Sequence, residues 1–188
     1  MRRILILVAL MSSPVWAGDG WTSQASGSHL QFVVSYEGQE VAGRFHVFQV
    51  RLAFNPDDLN SAVLEVLVDI DSADMDSEDL NSEILKPDWF AAGQFPQARF
   101  FSDAIMANGG NAFIANGTLR LKGIDKAIEV PFTWSVDNAQ AQLRGEVELQ
   151  RTDFAIGSGD WASGDTIGTA VKVRYQVSLD PLADKVNE

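Results

Sequence analysis

The chain has 188 residues, 46% of them hydrophobic, no Cys, and 26 Asp+Glu against 14 Lys+Arg for a net charge of −12. That is enough for one domain with a sizeable core and too apolar for disorder, and the missing Cys excludes disulfides, thiolate nucleophiles, iron–sulfur clusters and a lipid-modified N-terminal Cys. The acidic balance opposes nucleic acid and anionic membrane surfaces, both of which need a basic footprint.

Arg2 and Arg3, the apolar run over 4–11 and the small-x-small exit Val15-Trp16-Ala17 predict a secretory signal over residues 1–17, cleaved after Ala17. Its apolar run is too short for a hydrocarbon core of ~30 Å, and no later stretch approaches that length, so no stable membrane insertion is expected. So short a signal suits bacterial export and a periplasmic location. Residues 18–188 then form one domain.

Period two dominates that domain. Leu30, Phe32, Val34 and Tyr36 share a face, and after a loop over 37–40 so do Val41, Gly43, Phe45 and Val47. Folding about that loop sets Val34 opposite Gly43 and Phe32 opposite Phe45. The alternation changes phase at Val47-Phe48, which predicts a bulge or bend. Asn55-Pro56-Asp57-Asp58 is a turn. Leu64, Val66, Val68 and Ile70 make a third strand, and Leu80, Ile84 and Leu85 a short amphipathic helix starting near Asp76 or Ser77 and stopped by Pro87. Residues 96–107 form a fourth strand whose facing is left open by the adjacent Phe100 and Phe101.

Three further strands agree with one another: Ala115 to Leu121, Ile128 to Trp134, and Leu143 to Leu149. With a connecting turn over 122–126, Phe132 falls between Gly117 and Gly145, the large-beside-small alternation of a tightly curved sheet. The eighth strand points Val171, Val173, Tyr175, Val177 and Leu179 inward. The expected fold is all-β: an eight-stranded antiparallel barrel with a short helical insertion between strands 3 and 4. Closure removes the sheet edges, and eight strands are just wide enough for packed side chains or one small ligand.

Four sets of segments stand in order along the chain: Ser28-x-Leu30-x-Phe32 with Val41-x-Gly43-x-Phe45, Asp88-Trp89-Phe90 with Phe95-Pro96-x-Ala98-x-Phe100, Gly117-x-Leu119-x-Leu121-x-Gly123, and Arg151-x-Asp153-Phe154 before a glycine loop around Trp161. Together they resemble the YceI-like family of periplasmic, lipocalin-like polyisoprenoid-binding proteins. The resemblance spans 21–179. It implies a binding protein without catalysis or cofactor, whose ligand is a polyisoprenoid lipid or an isoprenoid quinone held in the barrel as by a carrier, reservoir or sensor. The candidate ligand-binding residues are Phe32, Val34, Phe45, Val66, Val68, Phe100, Phe132, Trp134, Leu143, Val147, Arg151 and Val173. A structural or protein-interaction barrel filled by those same side chains reads alike in sequence. Arg151 has inward parity and needs acceptors; it either pairs with Asp153 to close the barrel or meets a ligand headgroup. A homodimer is left open.

Other chemistry lacks its residues. The acidic run 69–79 fails the calcium-loop spacing. His29 and His46 face outward without a third ligand. Ser158 has neither a nucleophile elbow nor an inward His to activate it.

Overall fold

The computed structural model describes residues 20–182, so the expected signal over 1–17 lies outside the described residues. In chain order the strands are β1 (Gly20–Ser23), β2 (His29–Tyr36), β3 (Gln39–Phe45), β4 (Phe48–Asn55), β5 (Asp58–Asp69), β6 (Ala73–Asp74), β7 (Gln97–Ala107), β8 (Ala112–Leu121), β9 (Ile124–Asp137), β10 (Gln140–Gln150) and β11 (Ile167–Pro181). Among the described residues one α-helix, α1 (Glu78–Ile84), lies between β6 and β7. The strands form one antiparallel sheet that closes on itself where β1 pairs with both β4 and β11.

β1 and β2 lie end to end along the same edge of β11, Trp21 opposite Pro181 and Tyr36 opposite Ile167. β3 and β4 are halves of one bent strand, and the eleven segments make the eight staves of a closed barrel. The helix therefore follows the sixth strand rather than lying between a third and a fourth. Kinks split runs that a period-two count takes as single strands, and the short segments β1 and β6 carry too few alternations to register in it. The phase change at Val47 is the bend itself. β3 stops at Phe45, and the amides of His46 and Val47 donate to the backbone and side chain of Ser72 instead of to a sheet partner.

Two-residue turns set the register. Glu37-Gly38, Lys122-Gly123 and Asn138-Ala139 each have positive φ at both positions, the turn whose twist matches paired strands. The tighter turn at Gly38 puts Phe32 opposite Gly43 and Leu30 opposite Phe45, two residues from the expected register. An even shift keeps every side chain on its face. The turn at Gly123 puts Ile128 opposite Gly117 and Phe132 opposite Phe113, so Phe132 does not sit between two glycines. The ring-over-glycine contact occurs instead at Phe32, whose ring occupies the space a Cβ of Gly43 would need. On β7, Phe100 points in and Phe101 out beneath the Arg99 guanidinium, and a register shift between Ser102 and Ala104 brings Ile105 inward.

Two packed clusters fill the ends of the barrel. At one end Phe54 meets Phe113 and Trp134 at ring-centroid distances of 4.9 and 5.1 Å, and Trp21 meets Trp134 at 5.2 Å. At the other, Phe32, Phe45 and Phe90 pack with Ile84 of α1 and with Phe154 and Ile156. Ser77 caps the helix, its hydroxyl accepting from the Leu80 amide.

Candidate functional site: a hydrocarbon-lined hollow

Between the two clusters lies a cavity of about 470 Å³. Leu64, Phe100, Leu143 and Val177 form its floor, on top of the aromatic plug. Its walls are inward residues of the staves, among them Leu30, Val34, Val66, Val130, Val147 and Val173. Its roof comes from Leu80 and Ile84 of α1, from Trp89 and Trp161 in the loops, and from Tyr36 and Val41 at the β2–β3 tip. Tyr36 and Leu80 are each 44% exposed and Trp161 is 36% exposed, so the roof is also an apolar mouth.

Ten of the twelve sequence candidates line this cavity: Phe32, Val34, Phe45, Val66, Val68, Phe100, Leu143, Val147, Arg151 and Val173. Phe132 and Trp134 do not; they are packed into the plug with Phe54 and Phe113. Parity along a strand tells inside from outside, not depth along the barrel axis, and these two sit at the deep end. Leu30, Ile128, Val130, Leu149 and Tyr175 share the inward parity and also line the cavity, so the same signal reaches them. Trp89 and Trp161 stand in aperiodic loops, with ring centroids 5.9 Å apart, and no periodicity could find them.

Arg151 is 3% exposed, and its partner is not Asp153, which is exposed to solvent. Nε donates to Gly168 O at 2.9 Å; Nη1 to Ile156 O and Gly157 O, both at 2.9 Å; and Nη2 to Trp161 O at 2.6 Å and Ile167 O at 2.8 Å. A longer contact from Nη2 reaches Ser163 O at 3.3 Å. All five N–H groups of the guanidinium are thereby taken by backbone carbonyls. Asp153 points away because 151–154 coil into a short 3-10 turn, which ends the period-two parity that would have put both residues on one face. Burial lowers the pKa of Arg151, while the carbonyls supply the acceptors a buried cation needs. Arg151 thus ties the 155–168 loop over the cavity, with the Trp89 ring 5.9 Å from its guanidinium carbon. Lys122 adds a second tie, its ammonium donating to Ala155 O at 2.7 Å.

Asp74 anchors the helix side of the roof. It accepts from His46 at 2.9 Å, Asn81 at 3.0 Å and Arg44 at 3.2 Å. The His46 bond first, then those from Asn81, the Asp76 amide and Arg44, hold its carboxyl well below the usual aspartate range. Deeper in, burial pushes the Tyr175 phenol far above its ordinary value, so it stays a donor, and its hydroxyl donates to Pro131 O. Among the described residues no group of three or more His, Cys, Asp or Glu is placed to hold a metal ion, and no helix is long and apolar enough to cross a membrane.

Comparison with known proteins gives consistent matches. A profile of the YceI-like domain matches residues 21–179. A UPF0312 protein of Vibrio vulnificus is 28% identical over 171 residues, covering 83% of this chain and 89% of that protein. BcnA of Burkholderia cenocepacia superposes with a TM-score of 0.81 at 26% identity, covering 83% of this chain and 98% of that one. A polyisoprenoid binding domain from Saccharophagus degradans superposes with a TM-score of 0.70 over 86% of this chain and 98% of that one; at 14% identity the likeness is one of fold.

Proposed function

The chain belongs to the YceI-like family, and from that membership and the hollow barrel we propose that it is a periplasmic binder of a polyisoprenoid or similar long apolar molecule. It holds its ligand as a carrier, reservoir or sensor and does not convert it. The observation that carries this reading is the cavity of about 470 Å³ left between two well-packed ends. A barrel built only as a scaffold would fill that space with side chains, since voids are costly.

The volume sets the scale of the ligand. At ~30 Å³ per water-sized group the cavity takes roughly sixteen carbons, or about three isoprene units. At ~0.8 kcal/mol per buried carbon that is about 12 kcal/mol gross, comparable to the ~4–15 kcal/mol cost of association. The tail therefore supplies the affinity and the headgroup need only orient it. The residues around the mouth favour a neutral head such as a quinone. Glu83 and Glu40 are balanced by ion pairs with Lys86 and Lys172, Glu37, Asp160 and Asp165 add exposed negative charge on the adjoining tip and loop, and Arg151 has no N–H left for a phosphate.

A titration with isoprenoid alcohols of increasing length tests the reading. Affinity is expected to rise with each unit up to about three units and then level off, as the cavity fills. No binding at any length, or affinity independent of length, contradicts it.

A further inference from the structure

Two seams of the barrel are zipped over only part of their length. The β5–β7 ladder runs from Asp69↔Gln97 to Glu65↔Phe101 and stops toward the plugged end. The β9–β10 ladder does the reverse. It runs from Asp137↔Gln140 to Thr133↔Arg144 beside the plug and stops where the cavity begins. Beyond that point residues 124–132 pair with β8 alone, and residues 145–150 with β11 alone. A second hollow, of about 160 Å³, lies where the strands part, lined by Pro131 and Thr133 on one edge and by Arg144 and Glu146 on the other.

The residues on these edges resist zipping. Continuing the register would set Pro131 against Glu146, and proline has no N–H to give a ladder. It would set Glu129 directly against Glu148, a like-charge pair that opposes pairing. The Pro131 carbonyl is already taken by the Tyr175 hydroxyl. That hydroxyl reaches it from β11 across Gly145, where a Cβ would stand 2.6 Å from the hydroxyl oxygen. On the inner side Ile128 and Val130 of one edge and Val147 and Leu149 of the other line the main cavity.

We propose that the β9–β10 seam is a lateral door to the cavity, through which the apolar chain of the ligand passes sideways, with the Tyr175–Pro131 hydrogen bond as its latch. The proposal rests on the reading of the cavity as a long-chain site. A slot lets successive carbons move from a donor surface into the cavity while the rest of the chain stays covered. End-on entry would have to pass the Trp161 loop, which Arg151 and Lys122 tie over the cavity.

The chain contains no Cys, so a Glu129→Cys/Glu148→Cys double variant carries a single bridge when closed with a short, reducible thiol crosslinker. Both positions are exposed and lie outside the cavity lining. Uptake of a fifteen-carbon isoprenoid alcohol from phosphatidylcholine vesicles is followed by stopped-flow tryptophan fluorescence, beside the amount bound at equilibrium. The bridged form is expected to load at least about tenfold more slowly, to reach the same occupancy, and to recover its rate on reduction. Equal rates in the bridged and reduced forms, with binding intact, overturn the door alone. A reduced form that never binds overturns the cavity reading and the door with it. Tyr175→Phe, which keeps the ring and removes the latch, is expected to load severalfold faster than the unaltered protein; an unchanged or slower rate overturns the latch.

Discussion

Replacing Val173 by Phe puts a ring into the hollow without touching either packed end. Val173 lines the cavity from the middle of β11 and belongs to neither cluster. The change adds four carbons but no hydrogens, about 50 Å³ and well under the ~30 Å³ per carbon of a water-sized group, roughly a tenth of the cavity. A fifteen-carbon chain would then leave one or two carbons in water, a loss of about 1 kcal/mol at ~0.8 kcal/mol each, which is about sixfold in Kd. Folding stability should change by less than about 1 kcal/mol, because the ring enters free space rather than displacing packed neighbours. Calorimetric titration with the fifteen-carbon alcohol, paired with urea unfolding, measures both quantities. An unchanged Kd would show that the ligand does not occupy this space. A stability loss above about 2 kcal/mol would show that Val173 sits in packed core.

Phe132→Ala is expected to do the opposite: it opens a void in the plug at a cost of about 3–5 kcal/mol, with the affinity of the folded fraction unaltered; a parallel loss of affinity would place Phe132 at the ligand. Arg151→Met removes five donors from buried or half-buried carbonyls and is expected to cost about 3–5 kcal/mol in urea unfolding. Ligand bound per folded molecule should stay the same, and a selective loss of binding would restore the headgroup role. The Asp74 carboxyl is held below its ordinary value of 3.8. Its ties therefore contribute fully above that pH and are lost as pH falls through the lowered value. Thermal melts should show unaltered protein above Asp74→Asn in Tm at pH 7, with the gap narrowing below about pH 4; a gap constant down to pH 3 contradicts the assignment.

The barrel is legible in the sequence because alternation survives wherever one face is buried. Inward parity at Phe32, Val66, Val147 and Val173 holds even where the register is off by two, since an even shift cannot turn a side chain over. Register itself rests on the turns. Glu37-Gly38 and Lys122-Gly123 close hairpins in two residues with positive φ, and polar neighbours such as Gln39 and Asp125, which read as loop, are strand. Phe132 and Trp134 carry the same inward signal as Phe32 and Val66, yet depth along the axis separates plug from cavity wall. The roof was the least legible part. Trp89 and Trp161 lie in loops with no period, and the acceptors of Arg151 are backbone carbonyls, which leave no trace in side-chain identity.

Native mass spectrometry of the protein purified from its own host, with identification of whatever is released on denaturation, tests the central claim most directly. The account predicts a stoichiometric adduct that yields a long apolar chain, at least about fifteen carbons long, with an uncharged head. Protein that arrives empty at its bare mass, or that carries only a compact polar molecule, would contradict it.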